Sequence, residues 1–148
     1  MTFSPRLARL TIGAAALALL SACASAPAPE SSLYTRLGGK PAIDAVVSEM
    51  IDRTVADPVT RRSFEGVKLP PLKAHIADQV CQAAGGPCVY QGDSMKLVHK
   101  GLGISTAEFN GLVGHLVAVL NKYQVPAREQ KELLNALAPM APDIIEKP

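Results

Sequence analysis

Apolar residues recur at intervals of three and four along most of the chain after residue 31, which is the spacing of a helix with one buried face. The clearest example starts at Pro41, a residue suited to the first position of a helix, and ends at Asp57-Pro58. Its apolar face comprises Ile43, Val46, Val47, Met50, Ile51 and Val55. Alternating apolar and polar runs, which mark half-buried strands, are missing from the sequence. The pattern therefore predicts an all-α fold.

Glycine and proline delimit two more helical segments. Residues 32–37 predict a single turn that stops at Gly38-Gly39, and Pro70-Pro71 starts a longer helix that ends near Ala83-Ala84. The stripe of this longer helix comprises Leu72, His75, Ile76, Gln79 and Val80. An extended loop that begins at Gly85-Gly86-Pro87 should follow it.

The C-terminal third predicts two final helices. Ser105-Thr106-Ala107-Glu108 is a capping box, and Val125-Pro126 starts a last helix that Pro142 closes. The buried positions expected on them are Phe109, Leu112, Val113, Leu116, Val119 and Leu120, then Leu133, Leu134, Leu137 and Met140. With 148 residues, these helices make one ordinary domain.

One histidine is placed within an apolar pattern. Met95, Val98, His99 and Leu102 share a face if this segment is helical, with Ser94 as its N-cap. An imidazole in apolar surroundings needs a hydrogen bond, a water or a metal for its two ring nitrogens. Taken alone, the pattern favours a packed core histidine that has found such a hydrogen bond.

Five signals in order carry a resemblance to a known family. They are Leu33-Tyr34-x-x-Leu37-Gly38-Gly39, then Phe64, then Gly85-Gly86-Pro87, then Tyr90-x-Gly92-x-x-Met95, and finally His99-x-Gly101-x-Gly103-Ile104. In this order they resemble the group 1 truncated haemoglobins from about residue 32 to residue 142. The resemblance implies a globin-like 2-on-2 helical sandwich that binds haem b, with His99 as the proximal iron ligand.

The resemblance also implies which residues enclose the haem. His99 should donate its second ring N–H to a backbone carbonyl, which sets its tautomer. Phe64 should wedge against the porphyrin, with an ordinary loop anchor as the alternative, and Lys73 and Lys96 are candidates for the propionates unless they are simply solvated. The other expected cofactor contacts are Leu72, Ile76, Met95, Val98, Ile104, Phe109, Leu112 and Leu116.

The distal side departs from the family pattern. Ile51, preceded by Met50, stands where well-studied members have a tyrosine that hydrogen-bonds dioxygen, and Leu72 and Ile76 stand where glutamine is common. His75 occupies a place where some members carry a histidine that becomes a sixth iron ligand. A rim position near a propionate is the alternative for His75, and we interpret His115 as a packing or surface residue.

These features leave three candidate functions. The first is a binding protein for O2, NO or CO, with nitric-oxide dioxygenase or peroxidase chemistry open as a side activity. The second is one-electron transfer or redox sensing by a bis-histidyl haem with an unidentified redox partner. The third is a helical lipoprotein without haem. The missing distal tyrosine makes tight dioxygen storage and efficient nitric-oxide dioxygenation less favoured.

The N-terminus predicts export. Residues 1–22 carry Arg6 and Arg9 and then an apolar run too short to span a bilayer, as in a signal peptide. Leu20-Ser21-Ala22-Cys23 matches a bacterial lipobox, so we expect Cys23 to be acylated; plain cleavage nearby is the alternative. Residues 23–31 then form a flexible tether and residues 32–148 the globin domain. The expected location is the periplasmic face of a membrane, with the outer membrane favoured by Ala24.

Charge and cysteine content add two expectations. Cleavage after residue 22 removes two arginines and no acid, so 13 basic and 13 acidic residues cancel and a nucleic-acid partner is not indicated. In an oxidising compartment Cys81 and Cys88 are expected to form a disulfide across the Gly85-Gly86-Pro87 turn, with two free thiols as the alternative.

Overall fold

The computed structural model describes residues 31–148 and consists of helices joined by loops. The predicted signal peptide, the lipobox at Cys23 and nearly all of the tether lie outside the described residues. The helices are α1 Leu33–Arg36, α2 Gly39–Ala56, α3 Leu69–Ala83, α4 Met95–His99, α5 Thr106–Lys122, α6 Ala127–Leu137 and α7 Ala141–Ile144, with 3₁₀ turns at Arg61–Phe64 and Ala138–Met140. Within residues 31–148 there is no strand, only an isolated parallel bridge between Ser105 and Lys147. None of the described helices is long and apolar enough to cross a membrane.

The core forms where α2 packs against both α3 and α5, with α6 against α3 and α1. The predicted apolar face of α2 is buried: Val47 is 1% exposed and Ile51 0%. Thr54 is also 0% exposed, where the periodic pattern led us to expect the half-buried Val55. Its hydroxyl donates to the Met50 carbonyl at 2.8 Å, which satisfies the one polar atom that burial would otherwise leave unpaired. Because Thr54 is polar, the apolar pattern did not identify it as a core residue.

The two glycine pairs of the motif meet at Tyr34. A Cβ on Gly86 would lie 2.4 Å from the Tyr34 ring and 2.7 Å from the sulfur of Cys81, so only glycine fits there. The Tyr34 hydroxyl accepts a hydrogen bond from the Lys40 N–H at 3.0 Å, and the backbone N–H of Tyr34 donates to the Ala84 carbonyl at 2.8 Å. Tyr34 thus joins the start of α2 to the end of α3.

The start of α2 differs from the prediction. The helix begins at Gly39, two residues before Pro41, because Gly38 takes the left-handed φ of +94° that turns the chain into it. Pro41 is consequently in the third helical position and not the first. It is tolerated there because the first four N–H groups of a helix have no partner within it.

The predicted last helix is interrupted. The α-helical run ends at Leu137, a 3₁₀ turn follows, and Pro142 lies inside α7 instead of closing the helix. Pro139 explains the break, since its ring clashes with the preceding turn and it has no N–H to donate. Leu133 is buried as expected, whereas Leu134, Leu137 and Met140 are half-buried.

Cys81 and Cys88 form a disulfide, with their Cα atoms 5.8 Å apart. Cys81 is fully buried near the end of α3, and Cys88 lies in the loop that leads to α4. The bond therefore ties this loop to the core just before the helix that carries His99.

Candidate haem-binding site

Helix α4 presents His99 as its last residue. The helix starts at Ser94, whose hydroxyl accepts a hydrogen bond from the Leu97 N–H at 3.4 Å. It ends at His99 because the ψ of Lys100 is 122°, outside the helical region, and Gly101 adopts a left-handed φ of +80°. The predicted stripe is therefore wrong at its last member, since Leu102 lies beyond the helix. His99 itself is half-buried.

The orientation of the His99 ring is set by one hydrogen bond. Its Nδ1 lies 2.7 Å from the carbonyl oxygen of Met95, one helical turn earlier. A carbonyl can only accept, so Nδ1 carries the proton and Nε2 keeps its lone pair. The hydrogen bond expected of a haem-ligating histidine is thus present, and Nε2 is the atom that could hold iron.

The donor set suits haem and not a bare metal ion. Within residues 31–148 no group of three or more His, Cys, Asp or Glu side chains is arranged to hold a metal. A single histidine is enough for an iron that brings four ring nitrogens of its own, as haem does.

The predicted haem contacts differ in their exposure. Ile104 and Leu116 are buried and Val98 is 43% exposed. The half-buried ones are Phe64, Leu72, Ile76, Met95, Phe109 and Leu112. Leu97 on α4 and Leu102 in the loop after it are 58% and 40% exposed. Exposed apolar side chains of this kind could be covered by a ligand such as a flat porphyrin.

The predicted distal residues lie deep in the core. Met50 is 3% exposed and Ile51 is 0%. The nearby buried hydroxyls are committed to backbone carbonyls: Thr54 donates to Met50 and Thr60 donates to Thr54 at 2.6 Å. Among the described residues no buried side-chain nitrogen or oxygen lacks a hydrogen-bond partner. Within residues 31–148, therefore, no buried side-chain donor is left unpaired for a gas ligand.

Two other predicted site residues already have neighbours. His75 is exposed, and its ring lies edge-to-face against Tyr90 with a centroid distance of 6.5 Å. Lys73 Nζ is 2.6 Å from the Asp52 carboxylate and 3.1 Å from the Ser48 hydroxyl. Their roles at the haem stay predictions.

His115, which the sequence analysis interpreted as a packing or surface residue, has a hydrogen-bond partner. Its Nε2 lies 2.9 Å from Asp57 Oδ2 at the end of α2. The pKa of Asp57 is lowered, first by the hydrogen bond that the carboxylate accepts from the Val59 N–H and then by His115. His115 therefore ties α5 to the end of α2.

Sequence reasoning missed a set of contacts on the loop that follows His99. The Glu146 carboxylate accepts hydrogen bonds from the N–H groups of Gly101 at 2.7 Å and Gly103 at 2.5 Å. These two hydrogen bonds, with a smaller contribution from the charge of Lys147, lower the pKa of Glu146. The partners are more than 40 residues apart in the chain, so no local pattern could have revealed them.

A cleft beside α4 was also missed. It has a volume of about 360 Å³ and lies between α3, the loop before α4 and the C-terminal helices. The Gln79 amide spans it, 3.2 Å from the sulfur of Met95 and 3.4 Å from that of Met140. Its lining comprises Gln79, Gln82, Ala83, Tyr90, Ser94, Met95, Ala136 and Met140.

Comparisons with known proteins identify the family. The bacterial-like globin family matches residues 32–146. The group 1 truncated hemoglobin GlbN of Mycolicibacterium paratuberculosis is 38% identical over 117 residues, which cover 79% of this chain and 86% of that relative.

Two solved structures share the fold. Truncated hemoglobin from Tetrahymena pyriformis superposes with a TM-score of 0.75 at 24% identity, covering 79% of this chain and 100% of its own. The 2/2 hemoglobin from Synechococcus sp. PCC 7002 superposes with a TM-score of 0.73 at 25% identity, with the same coverage. The predicted all-α, 2-on-2 globin architecture is confirmed. This chain therefore belongs to the bacterial-like globin family, as a haem-binding truncated haemoglobin of group 1.

Proposed function

We propose that His99 holds the iron of haem b through Nε2 and that the protein binds a diatomic gas on the opposite face. When bound, the haem supplies reversible coordination of O2, CO or NO. The observation that carries the proposal is the 2.7 Å hydrogen bond from Nδ1 of His99 to the Met95 carbonyl, which aims the remaining lone pair away from the helix backbone.

The apolar distal side shapes which gas the site favours. Dioxygen gains the most from a nearby donor, because it takes on partial negative charge at ferrous iron, and one such hydrogen bond contributes about 1 to 3 kcal/mol. Ile51 has no donor atom, and the hydroxyls of Thr54 and Thr60 are already used. We therefore infer gas binding that favours CO and NO over stable storage of dioxygen.

Replacing His99 by glycine tests the axial ligand. His99→Gly should remove the iron–imidazole stretching band from the Raman spectrum of the ferrous protein, and added imidazole should restore it. His115→Gly is the matched control, because His115 pairs with Asp57, and it should leave the band in place. An unchanged band in His99→Gly would show that another residue binds the iron.

We also propose that the globin domain is tethered to a membrane by acylated Cys23. The support is the lipobox Leu20-Ser21-Ala22-Cys23, whose small residues before the cysteine suit the signal peptidase. Several acyl chains anchor a protein stably, since each buried methylene contributes about 0.8 kcal/mol. The proposed partner is a lipid bilayer at the periplasmic face, with the outer membrane favoured, and any redox partner would be met there.

A further inference from the structure

The helix that ends at His99 is too short to hold its own position. It has five residues, and isolated helices this short do not form in water. Helix α4 packs against α7 and contacts Gln79 of α3 through Met95, and the segments on either side of it add further constraints. The loop over residues 100–104 is therefore the structural support on the C-terminal side of His99.

The last residues of the chain hold this loop through its N–H groups. Glu146 Oε1 accepts from the Gly101 N–H and Oε2 from the Gly103 N–H, so both carboxylate oxygens are engaged by the same loop. The backbone of residues 145–147 adds three bonds: the N–H groups of Glu146 and Lys147 donate to the Ile104 carbonyl at 2.8 and 3.0 Å, and the Lys147 carbonyl accepts from the Thr106 N–H at 3.0 Å. We call residues 145–147 the C-terminal latch.

Arg62 holds the same loop from its carbonyl side. Its guanidinium donates to the Leu102 carbonyl at 3.0 Å and to the Gly103 carbonyl at 3.2 Å, and it pairs with Glu108 at 2.7 Å. Donors and acceptors of the loop are thus both bound by side chains that lie about 40 or more residues away. Gly101 and Gly103 have φ values of +80° and +59°, a conformation in which their N–H groups can converge on one carboxylate.

We propose that Glu146 is a positioning residue for His99, acting through Gly101 and Gly103 to fix the end of α4. This inference rests on the proposed role of His99 as the iron ligand. A carboxylate is suited to the task because a charged acceptor makes stronger hydrogen bonds than a neutral one. Without it, α4 should sample other orientations, and the bond between the His99 imidazole and the iron should weaken.

The test compares Glu146→Ala and Glu146→Gln with Asp143→Ala in the full-length holoprotein. Asp143 is an exposed acid in the same C-terminal segment and loses the same charge. Glu146→Ala should lose haem to an excess of apomyoglobin about tenfold faster than the wild type and should shift or broaden the ferrous iron–histidine Raman band. Glu146→Gln keeps one acceptor oxygen, so its rate of haem loss should lie between those of Glu146→Ala and the wild type. Asp143→Ala should lose haem at the wild-type rate.

Amide hydrogen exchange at Gly101 and Gly103 shows whether the hydrogen bonds to Glu146 have been lost, separately from any effect on the haem. Faster exchange in Glu146→Gln with unchanged haem loss and an unchanged Raman band would show a latch that does not position His99. Equal effects of Asp143→Ala and Glu146→Ala would show a general charge effect and overturn the inference as well. Retention of the ferrous iron–histidine band in His99→Gly would instead overturn the proposed role of His99.

Discussion

At the scale of single residues, Ile51 has the clearest consequence for ligand choice. It is fully buried on α2 and cannot donate a hydrogen bond. Ile51→Tyr should place a hydroxyl on the distal side and slow dioxygen release by about one to two orders of magnitude relative to Ile51→Phe. The phenylalanine variant carries the same ring, so the ratio of the two rates isolates the hydroxyl from overpacking. Stopped-flow measurement of dioxygen release checks this, and equal rates would place position 51 away from the ligand.

His75 is the residue at which a sixth ligand to the resting iron can be tested. Its ring is exposed and lies against Tyr90, so a bis-histidyl haem requires it to leave that contact and turn inward from α3. If His75 is the sixth ligand, His75→Ala should convert a low-spin ferric absorption spectrum to a high-spin one. A high-spin spectrum that is the same in wild type and His75→Ala would remove both this ligand and the redox function built on it.

At the scale of elements, the start of α5 links stability to pH through Glu108. The hydrogen bond from the Ser105 N–H, then those from the Ser105 hydroxyl and Arg62, lower the pKa of Glu108 from its usual 4.5. Since the folded-state pKa is lowered, the stabilisation is fully present above pH 4.5 and is lost as the pH falls through the folded-state value.

Glu108→Gln should therefore reduce the free energy of unfolding by about 1 kcal/mol at pH 7, typical of a lost helix cap. The difference between wild type and Glu108→Gln in urea unfolding should shrink at pH 3.5 (roughly one unit below the usual carboxyl value). Glu65→Gln removes the same charge from an exposed site and should change little at either pH. A difference that stays constant with pH would mean that the carboxylate charge is not involved.

At the scale of the whole molecule, the proposed anchor and the globin domain should be separable. Cys23→Ser removes the acylation site, while haem binding is proposed to depend on residues of the described domain. The variant should move from the membrane to the soluble fraction, and its absorption spectrum should match that of the wild type. Cys88→Ser offers a cysteine control outside the lipobox and should stay with the membrane. Retention of Cys23→Ser in the membrane fraction would count against the lipid anchor.

The local features of the fold were predictable because their causes are short-range. The capping box at Ser105 is present as expected, and Ser94 starts α4 as predicted. The buried face of α2 was identified except for Thr54. The hydroxyl of Thr54 can be buried because it donates a hydrogen bond to the Met50 carbonyl of the same helix. The break after Leu137 was not predicted. Pro139 was enough to predict it, because proline has no N–H and its ring clashes with the preceding helical turn.

By itself, then, the sequence determined the all-α class and most helix boundaries. It also determined the family, through the motif that runs from Tyr34 and the glycine pairs to His99, and the absence of a donor at position 51. Periodicity, caps and turn residues act over a few positions, so they can be identified from the sequence alone. Only the tertiary structure decided that Lys73 pairs with Asp52 and that Arg62 and Glu146 hold the loop from opposite sides. Those contacts join residues about 20 to 45 positions apart, and a hydrogen bond at that separation exists only once the helices have packed.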